Sequence, residues 1–131
     1  MIHVPGRAGR VHVLRLMPGE DVRHALTEWT TAQGLQAAGI ISAVGSLSRA
    51  MIRYAGREEG TAIMGDLEIC TLSGTLSQHG VHLHITVADA EGQVRGGHVM
   101  PGCIVRTTLE LVVQEINGVE MQRTLDPEAL G

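Results

Sequence analysis

The hydrophobic positions of this chain keep two rhythms, and the change between them marks its elements. Across residues 20–33 the apolar side chains Val22, Ala25, Leu26, Trp29 and Ala32 recur at three- and four-residue intervals, which lays them along one stripe of a helix. Glu20 and Asp21 suit the positive N-terminal end of that helix. Gly34 is a natural stop, because glycine accepts the left-handed conformation that closes a last turn. Elsewhere the rhythm is two, and predicted strands cover 10–16, 39–45, 47–54, 66–76, 81–88, a short return through Arg95, 103–116 and 119–124. Pro18-Gly19 separates the first strand from the helix, and residues 55–65 form a loop or ragged hairpin. Gly74 marks a candidate bulge, and Asp89-Ala90-Glu91-Gly92 and Asn117-Gly118 are turns. The expectation is an α+β domain, a mostly antiparallel sheet packed with at least one helix. It spans 10–124, with 1–9 as a flexible N-terminal arm and 125–131 as a peripheral tail.

Composition sharpens this picture. Trp29 and Tyr54 are the only aromatics, so aliphatic residues must build the core. Charged residues make up 18%, below the roughly 25% usual for soluble domains, and hydrophobic residues reach 44%. A small domain with this balance is expected to bury part of its exterior in a subunit interface. No run approaches the roughly 18 apolar residues of a membrane helix, so no membrane partner is expected. The formal net charge of −4 opposes nucleic-acid binding through a general basic face. The start, Met1-Ile2-His3-Val4-Pro5-Gly6-Arg7, lacks the apolar core of a signal peptide, which points to a cytoplasmic location. Cys70 and Cys103 lack CxxC spacing and are expected to be reduced and buried.

The chemistry concentrates in one stretch. His82 and His84 stand in Gly80-Val81-His82-Leu83-His84-Ile85-Thr86-Val87, and His98 follows in Gly96-Gly97-His98. Alternation along a strand sends both imidazoles of His-x-His to one side, roughly 6.7 Å apart at Cα, and Val81, Leu83, Ile85 and Val87 to the other. Rings so placed can converge on one ion, since a zinc–nitrogen bond is about 2.0–2.1 Å. Three neutral imidazoles with an open fourth position make a catalytic or ligand-binding zinc site rather than a closed structural one. The alternative is a polar sheet face that is merely rich in histidine. If the turn pairs Ala88 with Gln93, His98 falls opposite Leu83, on the wrong face. Either a bulge at Gly96-Gly97 restores it, or the chain leaves the sheet at Gly96 and His98 swings in from a loop. His79 is expected to be solvated, and His3, His12 and His24 to lie at the surface. Glu68 is a weak candidate for acid–base work beside a bound water, and Glu110 a weaker one. Arg95 and Arg106 either anchor an anionic ligand or form salt bridges. Neither a P-loop nor a GxGxxG fingerprint is present.

At these residues the chain resembles the plants-and-prokaryotes-conserved (PPC) domain, the domain that follows AT-hooks in plant nuclear AT-hook proteins and also occurs alone in prokaryotes. The resemblance covers roughly residues 10–116. It includes Leu14-Arg15-Leu16-Met17-Pro18-Gly19-Glu20-Asp21-Val22, Ala43-Val44-Gly45-Ser46-Leu47-Ser48 and Gly65-Asp66-Leu67-Glu68-Ile69-Cys70-Thr71-Leu72-Ser73-Gly74. Its signature is His82-x-His84 followed by Gly92-Gln93-Val94-Arg95-Gly96-Gly97-His98. The resemblance implies a homotrimer and a metal site, zinc or another divalent transition metal, held by His82, His84 and His98. It also implies a fold related to acetolactate decarboxylase, and with it the alternative of a small-molecule lyase or hydrolase. A DNA-binding or transcription-associated role is the label the family carries. The Arg-Gly-Arg-Pro core of an AT-hook is absent, and Asp66 stands where plant members have arginine. Arg7, Arg10, Arg15 and Arg23 would make a modest basic patch only if trimerisation gathered them.

Overall fold

In a computed structural model, residues 1–123 are described. They form six strands and one helix: β1 (Arg7–Leu16), α1 (Val22–Gln33), β2 (Ala38–Arg53), β3 (Thr61–Ser77), β4 (Gly80–Ala88), β5 (Val94–Val99) and β6 (Ile104–Asn117). All strand pairings are antiparallel, in the order β1-β6-β2-β3-β4-β5. The sheet then curls back on itself. The edge of β2 that pairs with β6 as far as Arg49↔Ile104 takes β5 for its last two residues, Ile52↔Val99 and Arg53↔His98. Strands β2 to β5 thus close into a ring, and β1 is left as an edge.

One face of this curled sheet is aliphatic, and α1 lies against it over β3 and β4. Val22, Leu26, Leu47, Leu76, Leu83, Ile85, Leu109 and Leu111 are fully buried there, forming the core that the scarcity of aromatics requires. The helix begins at Val22, two residues after the expected start at Glu20. Asp21 is the N-cap, and its carboxylate accepts from the backbone N–H of His24 at 3.0 Å and from that of Gly102 at 2.7 Å. One side chain therefore ties the start of α1 to the β5–β6 turn. Gly34 closes the helix at φ 64°, ψ 31°. The buried stripe runs through Val22, Leu26 and Thr30, with Ala25 and Trp29 half-buried. Ala32, expected on that stripe, is exposed. Residues 22, 26 and 30 keep a strict four-residue spacing and define the inward meridian, which Ala32 leaves.

Several boundaries differ from the expectation. The strand at the start begins at Arg7, where Arg7 and Ala8 pair with β6 within the segment expected as an arm, and Gly9 lies in a bulge between Ala8 and Val11. The segments 39–45 and 47–54 are one bent strand, whose direction changes through register shifts near Ile41, Ser46 and Ser48. Continuous pairing with β3 across Gly45, Ser46 and Leu47 overrides the local break signal. β3 starts at Thr61, and its bulge lies at Cys70, between Ile69 and Thr71, not at Gly74. Gly74 pairs in register with Leu83. Residues 119–123 are no strand: they cross the sheet end as an irregular strap, and residue 124 and the expected tail lie outside the described residues. Cys103 is buried, but Cys70 is exposed and neither is in a disulfide.

Candidate metal centre

The strand alternation behaves as the sequence demands. Val81, Leu83, Ile85 and Val87 are buried, while His82 and His84 stand on the outer face of β4. His98 reaches that face by neither expected route. The connection after β4 has five residues, not four: Ala88 pairs with Val94, and the turn is closed by Asp89, whose N–H donates to the Gln93 carbonyl at 3.0 Å. The Asp89 carboxylate accepts from the N–H groups of Glu91 and Gln93, both at 2.9 Å. The extra residue shifts the register by one and sets His98 directly across from His84, in continuous strand. No bulge is needed at Gly96-Gly97. Those glycines instead permit close approach: a Cβ at Gly97 would lie 2.5 Å from the Arg53 carbonyl oxygen, and one at Gly96 would lie 2.7 Å from that of Ile85.

The three rings form one cluster. Centroids of His84 and His98 are 4.4 Å apart, those of His82 and His84 5.0 Å, and those of His82 and His98 5.5 Å with the rings nearly parallel. One ligating atom from each lies within 4.8 Å of the other two. Tetrahedral zinc sets its nitrogens about 3.3 Å apart, given bonds of about 2.0–2.1 Å. The ring nitrogens would have to close by up to about 1.5 Å to reach that spacing, a displacement on the scale of a histidine side-chain rotation. Burial, then the charge of Arg123, holds the His82 imidazole below its usual pKa, and burial, then Arg53, does the same for His98. Both effects favour the neutral ring that a metal requires. The donor set thus fits a divalent ion of zinc type.

The cluster opens on one side into a cleft of about 330 Å³ lined by Arg23, Arg53, His82, His98, Met100 and Arg123. On another side a broader depression of about 530 Å³ runs past Thr75, Ser77 and Glu120. The strap 119–123 forms the wall between. It is held by the Met121 N–H on the Gln36 carbonyl at 2.9 Å, by the Ser77 hydroxyl on the Met121 carbonyl at 2.6 Å, and by a 2.8 Å contact between His79 and Glu120.

The other candidates are placed elsewhere. Glu68 shares the outer face but pairs with Ala88, four residues from His84 and so about 13 Å along the strand. Glu110 bonds Arg15 at 3.1 Å, and Arg106 pairs with Asp66 at 3.2 Å. Arg95, opposite Val87, does not line the cleft. His12 is no free surface residue: half-buried, it contacts Glu115 at 2.6 Å and meets Trp29 edge-on. His79 is exposed as expected but partnered by Glu120. Sequence reasoning missed Arg53 and Arg123 at the site. Arg53 arrives through a pairing with a strand more than forty residues away, for which no local pattern exists.

Comparison with known proteins identifies the family and the fold. Residues 3–117 match the family model of the Plants and Prokaryotes Conserved (PCC) domain. The bifunctional protein GlmU of a Synechococcus strain is 44% identical over 95% of this chain, which spans a fifth (20%) of that relative's length. The AT-hook motif nuclear-localized protein 8 of Arabidopsis thaliana is 30% identical over 78% of this chain and 28% of its own. Among solved structures, a hypothetical protein from Salmonella enterica superposes with a TM-score of 0.90 at 42% identity, covering 96% of this chain and 91% of that one. A metal-containing protein from Archaeoglobus fulgidus follows with a TM-score of 0.83 at 29% identity, covering 98% and 94%. With a family match across nearly its whole length and the same fold in these relatives, the chain belongs to the plants-and-prokaryotes-conserved domain family.

Proposed function

We propose that this chain is a metal-binding domain in which His82, His84 and His98 hold one zinc or similar divalent ion, leaving a fourth position for a ligand. The observation that carries this reading is the convergence of three ring nitrogens from two paired strands within 4.8 Å. The metal-containing relative from Archaeoglobus fulgidus supports it. The test is elemental analysis of untagged protein purified without added metal. The expected result is about one ion per chain, lost in His82→Ala. Metal-free protein that binds titrated zinc no tighter than His82→Ala contradicts the reading.

The working unit in this proposal is a homotrimer. Its support is an outward face on which Val11, Val13 and Val44 remain 51%, 79% and 69% exposed across β1, β6 and β2, beside the unpaired edge of β1. Sedimentation is expected to give three times the chain mass of 14.0 kDa, and a monomer overturns this part. The open ligand position also supports a second reading, a small-molecule lyase or hydrolase. The carboxylate that lines a depression with His82 is Glu120, not Glu68. A role beside DNA draws on the AT-hook relative and on the family, and the chain's acidic balance runs against direct contact. Among the described residues no helix is long and apolar enough to cross a membrane.

A further inference from the structure

The geometry points to a small organic anion, bearing a carboxylate or phosphate group, as the ligand of the cleft beside the histidines, gripped by Arg23, Arg53 and Arg123. This rests on the metal reading for its position but not for its charge logic. Three arginines from three separate parts of the fold converge on one concavity: the first turn of α1, the end of β2 and the strap after β6. Among the described residues, none of the three makes an ion pair with a carboxylate. Arg23 donates to the Val99 carbonyl at 3.5 Å and Arg53 to the Arg57 carbonyl at 3.1 Å, which leaves most of each guanidinium's five donors unused. Each arginine is also built into place. The double-bonded Asp21 cap fixes the helix start that carries Arg23, the β2–β5 pairing fixes Arg53 beside His98, and the strap bonds of Ser77 and His79 deliver Arg123.

Charge balance gives the ligand its sign. Three neutral imidazoles compensate none of a dication's charge, and three guanidinium groups nearby add to it. Such a site is satisfied when the open position and the arginines share an anion, since paired guanidinium–oxyanion bonds are among the strong ones. Size gives the ligand its class. About 330 Å³ is the scale of a metabolite pocket. A duplex backbone would instead be tracked by a convex stripe of basic residues, in a domain that is not acidic overall.

The test is calorimetric titration of the full chain with succinate and with inorganic phosphate, at matched ionic strength, with metal content read first by elemental analysis. Wild type is compared with Arg53→Gln and Arg123→Gln, both at solvent-accessible positions, with thermal unfolding as the check on folding. At least one anion is expected to bind, and each variant to weaken it about tenfold while leaving metal content unchanged, as loss of one charge-assisted bond implies. No binding of either anion, or equal affinity in wild type and both variants, overturns the inference. Protein that holds no metal yet binds phosphate through these arginines overturns the metal reading and retains the anion site. Arginine-dependent binding of a DNA duplex more tightly than either small anion reassigns the cleft to nucleic acid and overturns the proposed ligand class.

Discussion

At Gly97, β5 runs between β4 and β2, with Ile85 across from it on one side and the Ile52–Arg53 backbone on the other. A Cβ there would sit 2.5 Å from the Arg53 carbonyl oxygen and 2.8 Å from the Ile52 Cγ2. A carbon rests comfortably against a carbonyl oxygen at about 3.3 Å or more, so Gly97→Ala must part β5 from β2 by about 0.8 Å. The obstacle is backbone, which cannot rotate aside. Overpacking of this kind costs about 1–3 kcal/mol. The same displacement moves His98 and Arg53, the pair at that point in the ladder. Metal ligands work within about 0.5 Å of their productive geometry, so zinc affinity is expected to fall about 10–100-fold. Gly56→Ala is the control. Its φ of +72° makes alanine strained, at about 1–2 kcal/mol, but nothing lies within 4 Å of the new methyl group and Gly56 lies outside the β2–β5 pairing. Urea unfolding and competition with a chromophoric chelator measure both quantities. Comparable destabilisation with weakened zinc binding only in Gly97→Ala is expected. Unchanged affinity in Gly97→Ala, or equal weakening in Gly56→Ala, would refute the idea that the fit of β5 against β2 sets the site.

Burial and arginine charge hold the His82 and His98 imidazoles below the ordinary value of about 6.5, and zinc takes only the neutral ring. Protons therefore compete only as pH falls through these lowered values, so zinc affinity measured against pH is expected to hold level down to about 6.5 and weaken below it. A decline beginning well above that point contradicts the assignment. In native protein a thiol reagent is expected to modify Cys70 alone, with Cys103 reacting only on unfolding, because burial pushes the Cys103 thiol up and its sulfur lies 3.3–3.4 Å from the Met51 backbone N and O. Two fast thiols would show that the β2–β6 region opens readily. Leu26→Ala, at a fully buried position beneath the sheet, is expected to cost about 2–5 kcal/mol by urea unfolding.

The parts of the molecule legible in its sequence are those set by local periodicity. The helix and the division of β4 into a histidine face and an aliphatic face follow from spacing, and the Gly34 stop from residue type; Asp21 was expected only to suit the positive helix end, not to cap the helix. What escaped is set by contacts distant in the chain. Gly45 looks like a break, yet pairing with β3 on one side and β6 on the other carries the strand straight through it. Gly96-Gly97 was expected either to bulge or to lead the chain out of the sheet, but the register had already been corrected by a fifth residue in the preceding turn, held by the Asp89 carboxylate. Cys70 looks like a core residue in an apolar run, and the bulge at that position turns it outward. The histidine cluster was readable because His-x-His is local. The arginines were not, because only the closure of β5 onto β2 and the bonded strap bring them there.

The most direct measurement is an anomalous difference map at the zinc edge from crystals of untagged protein loaded with one equivalent of zinc. A single strong peak within about 2.0–2.1 Å of one nitrogen from each of His82, His84 and His98 is the expected result. A peak on other residues, or none while the three rings stand apart on the sheet, would contradict a shared metal centre.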